Sequence, residues 1–426
     1  MREMKDSGVA WIGEIPETWE IKRIKEEYSL QAGFTPDTKN ESYYDENGYD
    51  WVTISDIEDG KTIFSTKKKV SQKYITEFSP SIIPKGSLLY SFKLSVGQTA
   101  FAGKELYSNE AIAAFFPDES ISLSFLRYSS FLIVENAETN IYGAKILNRE
   151  RIKNALVVYP PLSDQQKIAA HLDRKCTQID ALIANAEQQI EKLKAYKQSV
   201  ITETVTKGLD PDVEMKNSGI DWIGGIPENW IITKIKYAAD VSRGLFNHRP
   251  RNDARFYNGA YPFIQTGDVA RAIKYITEYS QTLNENGIKV SKQFPKGTLT
   301  MTIAANVGDV AILGFDAYFP DSVVGFIPHS DCHGNYLYYI FRAMKDVFVN
   351  ASIMNTQLNL NVERVKNLYM PFATTISEQV QIADYLDKKC EQIDRLIAIK
   401  QQKIEKLQQY KKSLIYEYVT GKKGVE

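Results

Sequence analysis

The opening of this chain is written twice. Met4–Trp19 reads MKDSGVAWIGEIPETW and Met215–Trp230 reads MKNSGIDWIGGIPENW, 211 positions later. A second pair is shifted by 214: Ser163–Thr206 against Ser377–Thr420, both long, polar and free of Gly and Pro. Two near-identical frames therefore enclose two inner segments that resemble each other much less. A period this long is not a solenoid's, so each copy is a domain plus a connector. Similar framing around different filling is the pattern of a scaffold holding two separate reading heads.

The second pair carries a clear helical period. Cys176, Ile179, Ile183, Ala186, Ile190 and Leu193 are spaced alternately by three and four, as are Cys390, Ile393, Ile397, Lys400, Ile404 and Leu407. That alternation gives each helix one apolar stripe suited to knobs-into-holes packing. Ser163 and Ser377, just after Pro161 and Pro371, are expected to be N-caps. A helix of about 44 residues rises about 66 Å. So narrow a stripe cannot stabilise it alone, so the two helices should pair, and the duplication implies that they pair antiparallel. Lys400 in the seam is a local cost. The expected fold is α+β: two similar β-rich α/β globular domains joined by a long antiparallel two-helix coiled coil, with a pseudo-two-fold internal repeat. Its parts are 1–160 (first domain), 161–210 (first spacer helix), 211–370 (second domain) and 371–426 (second spacer helix).

The inner segments share a β-rich pattern. Trp51–Ile57 and Pro262–Val269 are short β-branched or aromatic runs. Pro84–Tyr90 (PKGSLLY) matches Pro295–Met301 (PKGTLTM), a turn and a strand, each followed by a Val-Gly pair at Val96-Gly97 and Val307-Gly308. Trp11, Trp19, Trp222 and Trp230 fit an aromatic clamp where the frame docks on a domain.

Composition bounds the class. The chain has 426 residues, 43% hydrophobic and 25% charged, with a formal net charge of −1. That leaves room for two or three domains with their own cores. No apolar run approaches the roughly 18 residues of a membrane span, and Met1–Lys5 leads into no signal core. Cys176, Cys332 and Cys390 lack zinc or disulfide spacing, so a cytoplasmic setting is expected. The balance near neutrality excludes a globally basic surface, but charge is uneven: Arg243, Arg249, Arg251 and Arg255 crowd one stretch.

The doubled MK-x-SG-x-x-WIG-x-IP-x-x-W opening, the PKG-strand-VG core and the S-D/E-Q-x-x-I-x-x-H/Y-L-D start of a long helix together resemble the specificity subunit of type I restriction–modification enzymes. The resemblance covers nearly the whole chain. It implies that the inner segments are target recognition domains, each reading one half of a split double-stranded DNA sequence. It implies further that the helices space them and dock partners: two modification (methyltransferase) subunits and two restriction subunits, with no membrane. The chain itself would be non-catalytic, with S-adenosylmethionine, ATP and Mg²⁺ bound on the partners.

The residues agree with this. There is no G-x-x-x-x-G-K-S/T loop, no Asn-Pro-Pro-aromatic tetrapeptide and no Gly-rich loop after a strand. Pro211–Lys216 (PDVEMK) superficially resembles a PD…ExK nuclease, but its acids are too close together and lie on a linker. The four histidines, His171, His248, His329 and His333, have no metal-ligand spacing. A self-contained restriction or modifying enzyme would need motifs that the sequence lacks. A coiled-coil protein whose domains bind peptides is the other rival; divergence confined to the heads speaks against it.

Bases are read by side chains reaching their edges, Arg on guanine and Asn or Gln on adenine, while phosphate contacts set position. In the second domain the loop Arg243–Arg255 (RGLFNHRPRNDAR) offers Arg243, Asn247, His248, Arg249 and Arg251. Gln265, Thr266, Gln357 and Asn359 follow. The first domain offers Thr35, Ser91, Lys93, Lys145 and Asn148. No metal site is expected.

Overall fold

The computed structural model describes residues 3–93, 95–135, 138–139, 145–304, 306–354 and 358–425, without the side chains of 138, 139, 145, 146, 353, 354, 358 and 359. The chain forms two compact units, residues 1–185 with 403–426, and residues 186–402.

The first unit centres on a five-stranded sheet in the order Leu30–Ala32, Ile112–Phe115, Leu88–Ser91, Thr99–Ala102, Lys61–Ile63. Its pairs are antiparallel except the last, Lys61–Ile63 with Thr99–Ala102. The second unit repeats the plan with Ala239–Arg243, Val323–Pro328, Leu299–Thr302, Val310–Leu313 and Tyr275–Ile276, again parallel only at the last pair. The predicted PKG turns precede the central strands, with Gly86 and Gly297 at φ 86° and 87°. The Val-Gly pairs make the next turn, with Gly97 and Gly308 at 93° and 85°. A side chain strains such a backbone, so glycine is required there.

Each sheet is buried on both faces. Because side chains alternate along a strand, Leu88 and Tyr90 join the cluster under the helices while Leu89 joins a second cluster with Ala100, Ile112 and Ala114. In the second unit Leu299 and Met301 face one cluster, and Ala311, Leu313 and Val323 the other.

The long helices span Leu162–Lys207 and Ile376–Val419. Both start one residue before the serines expected to cap them, so Ser163 and Ser377 lie inside the first turn. The cap position falls instead on Pro161, whose carbonyl accepts from Asp164 and Gln165, and on Thr375, whose hydroxyl accepts from the Glu378 N–H at 3.3 Å. Within each unit the helix segments run antiparallel. In the first, Asp180 pairs with Lys411 at 2.7 Å and the His171 ring lies tilted against Tyr418, centroids 4.5 Å apart. In the second, Lys197 pairs with Asp394 at 2.6 Å while Ile201 and Val205 share a core with Ile382, Leu386 and Cys390. Cys176 and Cys390 are buried in these cores, and burial pushes both thiols up.

The repeated motifs now have physical reasons. In the opening frame Asp6 and Asn217 accept the N–H of Gly8 and Gly219, forming Asx turns at 3.0 and 2.9 Å. Lys5 and Lys216 donate to the carbonyls of Glu17 and Glu228. Trp19 and Trp230 are wholly buried, and their indole N–H groups donate to Asp164 at 3.2 Å and Glu378 at 2.9 Å in the first turn of a long helix. An acid at a helix N-terminus is itself favoured by the helix dipole. Next to each acid, Gln165 and Gln379 are also wholly buried. Gln165 accepts from the Ser122 N–H and donates to the Pro160 carbonyl; Gln379 accepts from the His333 N–H and donates to the carbonyls of Asp331 and Ala373. The Asp of the L-D pair takes a phenol from its head: Tyr128 to Asp173 and Tyr339 to Asp387, at 2.6 and 2.5 Å. Trp19 and Trp230 are thus clamps of the frame, as expected, while Trp11 and Trp222 are half-buried against the same cores.

Candidate nucleic-acid interface

The second head's reading loop is built around a glycine and a carboxylate. Gly244 follows the edge strand Ala239–Arg243; a Cβ there would stand 2.3 Å from the Pro320 carbonyl oxygen. Its N–H donates to Val323 and that of Leu245 to Phe319, pinning the loop to the chain before strand Val323–Pro328. Beneath the loop Phe246 packs with Tyr257, Phe263, Leu283 and Tyr318. Above this apolar foot the arginines converge on Asp321. Arg251 donates to its carboxylate, Arg249 lies 3.6 Å away, and Arg243 donates to its backbone carbonyl. Arg249 also donates to the carbonyls of Phe246 and His248, at 2.8 Å each. Both guanidiniums stay about half exposed, Arg249 at 56% and Arg251 at 47% of the side chain. A guanidinium has five N–H donors, so one edge remains for another acceptor.

Asn247 is exposed and His248 half-buried. The His248 ring lies 4.1 Å from the Phe256 ring and 3.0 Å from Asp253, so it braces the loop. The Arg255 guanidinium beside Asp253 holds that carboxyl well below the usual carboxylate range. Gln265 and Thr266 sit on a separate turn at the start of helix Thr266–Arg271, where Gln265 donates to Gln281 at 2.9 Å.

In the first head the same position of the fold carries fewer cations. Gly33 is Gly244's counterpart, its Cβ position 2.0 Å from the Ser108 carbonyl oxygen. Its N–H and that of Phe34 donate to Ile112 and Ser108, each exactly 211 before the second head's acceptors. Thr35 donates to Glu110, and Lys93 donates to the same carboxylate at 3.1 Å. Burial draws the Glu110 carboxyl up, but Thr35, a backbone N–H and Lys93 outweigh it and hold it below its ordinary value.

One expectation needs correction. Ser91 ends a central strand that is buried on both faces and is itself wholly buried, so it offers no surface for a base. Asn148 is exposed but its Oδ1 accepts the Arg151 N–H at 2.9 Å, capping helix Arg149–Asn154, and Asn361 does the same in the other head. Lys145 and Asn359 lie on equivalent two-stranded hairpins, Lys145–Ile146 with Glu138–Thr139 and Leu358–Asn359 with Ile353–Met354. Gln357 lies outside the described residues.

The residues that sequence reading missed are Glu110 and Asp321. They occupy equivalent positions, 211 apart, and the only signal would have been an acid retained at one shift between otherwise divergent loops. Among the described residues no group of His, Cys, Asp and Glu could hold a metal ion, and no helix is long and apolar enough to cross a membrane. The histidines serve separate places; His329, for one, bridges the Tyr237 carbonyl and Asp240, whose carboxylate raises its pKa.

A family profile described as the type I restriction modification DNA specificity domain matches residues 16–194 and again 227–409, most of the chain. The chain belongs to the type I restriction–modification specificity family. Family members recognise DNA and are not themselves catalytic; catalysis is carried by partner subunits. The MjaVIII specificity subunit of Methanocaldococcus jannaschii is 24% identical over 428 residues, covering 96% of this chain and 93% of that relative. The MjaIX specificity subunit of the same organism is 26% identical over 289 residues, covering 65% of this chain and 64% of its own. A solved chain from a study of complex assembly and conformational transition in a type I system shares the fold with a TM-score of 0.73 at 16% identity, over 95% of this chain and 98% of that one. Each profile match in the specificity family holds most of one head and most of the long helix behind it, the unit that the duplication copies.

Proposed function

We propose that each head reads one half of an asymmetric, bipartite double-stranded DNA target, with the paired helices setting the unread gap. The observation that carries this reading is the contrast between the heads. The same glycine-pinned loop and the same acidic position present Thr35 and Lys93 in one head and three arginines in the other. One scaffold with two different sets of donors suits two different half-sites. The heads correspond to residues 1–160 and 211–370, the spacers to 161–210 and 371–426.

Two modification subunits and two restriction subunits would dock on the spacers. Support comes from exposed apolar residues that recur at the shift of 214: Leu182 and Leu396 are 46% and 47% exposed, Tyr196 and Tyr410 55% and 54%. Identical patches invite two copies of one partner. S-adenosylmethionine, ATP and Mg²⁺ belong on those partners, and the complex works in the cytoplasm.

Methylation sequencing of DNA exposed to this chain with its modification subunit tests the reading. The expected result is a split motif carrying N6-methyladenine on both strands, absent when this chain is omitted; an assembled, active complex that methylates nothing overturns it. The spacer role has its own check. Four residues inserted beside Ala186 add about 6 Å of helix and should lengthen the gap or abolish recognition, leaving the half-site sequences unchanged. Full activity at an unchanged gap refutes the ruler.

A further inference from the structure

We propose that Glu110 and Asp321 are specificity-determining positioning residues, each carboxylate reserving the cations of its own head for base edges by denying them to DNA phosphates. The proposal rests on the reading above that these loops face DNA.

Three observations carry it. The acids stand at equivalent positions, although one side chain is a methylene longer. Their donors differ completely, a hydroxyl and an ammonium at Glu110 against guanidiniums at Asp321. What the two heads keep in common is therefore the negative charge beside the reading loop rather than any one contact. Both acids also remain partly open to solvent, at 47% and 30% of the side chain, so neither is a sealed core ion pair.

The chemistry follows from competition for one cation. A free guanidinium or ammonium on a DNA-facing loop binds any phosphate, releasing counterions whatever the sequence. Beside a carboxylate its charge is already largely offset, so a phosphate, which relies on that charge, gains little from the contact. A base edge asks less: Arg can keep one N–H on Asp321 while two others meet guanine O6 and N7. The carboxylate also fixes the plane of the fork, and a supported donor reads more accurately than a free one. Each acid would weaken non-specific binding more than specific binding.

The test uses the complex with the modification subunit and two duplexes, one carrying the target and one scrambled, across a range of salt. Asp321→Asn should tighten scrambled binding by about tenfold at low salt and steepen the log–log salt slope by about 0.9 per freed cation. It should relax sequence preference in the second half-site alone; Glu110→Gln should do the same in the first, and Asp321→Glu should restore the second. A mere brace would lose affinity for both duplexes with no steeper slope, and that result overturns the proposal. Arg249→Ala with Arg251→Ala is the control. If it leaves the second half-site read normally, the DNA-facing assignment falls and this proposal with it. If it abolishes that reading while Asp321→Asn changes neither slope nor scrambled affinity, the carboxylate proposal alone falls. Should Asp321→Asn fail to fold, Glu110→Gln carries the same test in a head with different donors.

Discussion

Replacing Gln379 with leucine should destabilise the second unit by about 3–5 kcal/mol, because each buried polar group left without its partner costs about 1–3 kcal/mol. Three groups lose their partner at once: the Ala373 carbonyl at a buried contact, and the His333 N–H and the carbonyl of exposed Asp331 at part-buried ones, where water meets some of the cost. Leucine nearly fills the glutamine's volume, so little of the loss would come from a cavity. With domain stabilities of about 5–15 kcal/mol, such a change takes a large share of the total. Urea denaturation of the variant and its parent measures it. Gln165→Leu is the internal comparison: it orphans the Ser122 N–H and the Pro160 carbonyl, so its loss should be smaller. A Gln379→Leu loss no larger than that of an exposed substitution, within about 0.5 kcal/mol, would falsify the cross-link account.

The double substitution Arg249→Ala and Arg251→Ala should remove recognition of one half-site while leaving the other intact. If each guanidinium makes one bidentate base contact of about 1–3 kcal/mol, specific affinity falls by about 2–6 kcal/mol in total. The fold should survive, since both side chains are about half exposed and the loop's apolar foot at Phe246 is untouched. The informative readout is the motif methylated by the reconstituted complex, with the first half kept and the second blurred or lost. Uniform weakening with an unchanged motif would make these arginines phosphate contacts instead.

The scaffold was legible in the sequence because its signals are periodic and doubled. The stripe from Cys176 to Leu193 depends only on spacing, and the PKG and Val-Gly turns need glycine wherever they occur. The serines pointed two residues past the true caps, because Pro161 and Thr375 already supply the acceptors for the first helical N–H groups. Ser91 looked like a surface residue because the second layer of core, with Leu89 and Ala114, has no local signature. No local pattern marks Glu110 or Asp321; only the folded loop brings Thr35, Lys93 or the arginines to them. Arg251 and Asp321 are 70 positions apart and Thr35 and Glu110 are 75, beyond any local pattern.

The first unit contains residues 403–426, and Leu414, Tyr418 and Val419 pack into the same core as Ile12 and Trp19. During synthesis, then, the head made first is the one finished last. Domains ordinarily fold as they leave the ribosome, N-terminal first. Here the early head must wait, with part of its apolar surface uncovered, until residues 403–426 arrive, whereas the later head has every piece of its core by Gln402. A chain cut short before Leu414 would carry a complete second reader and an unfinished first one.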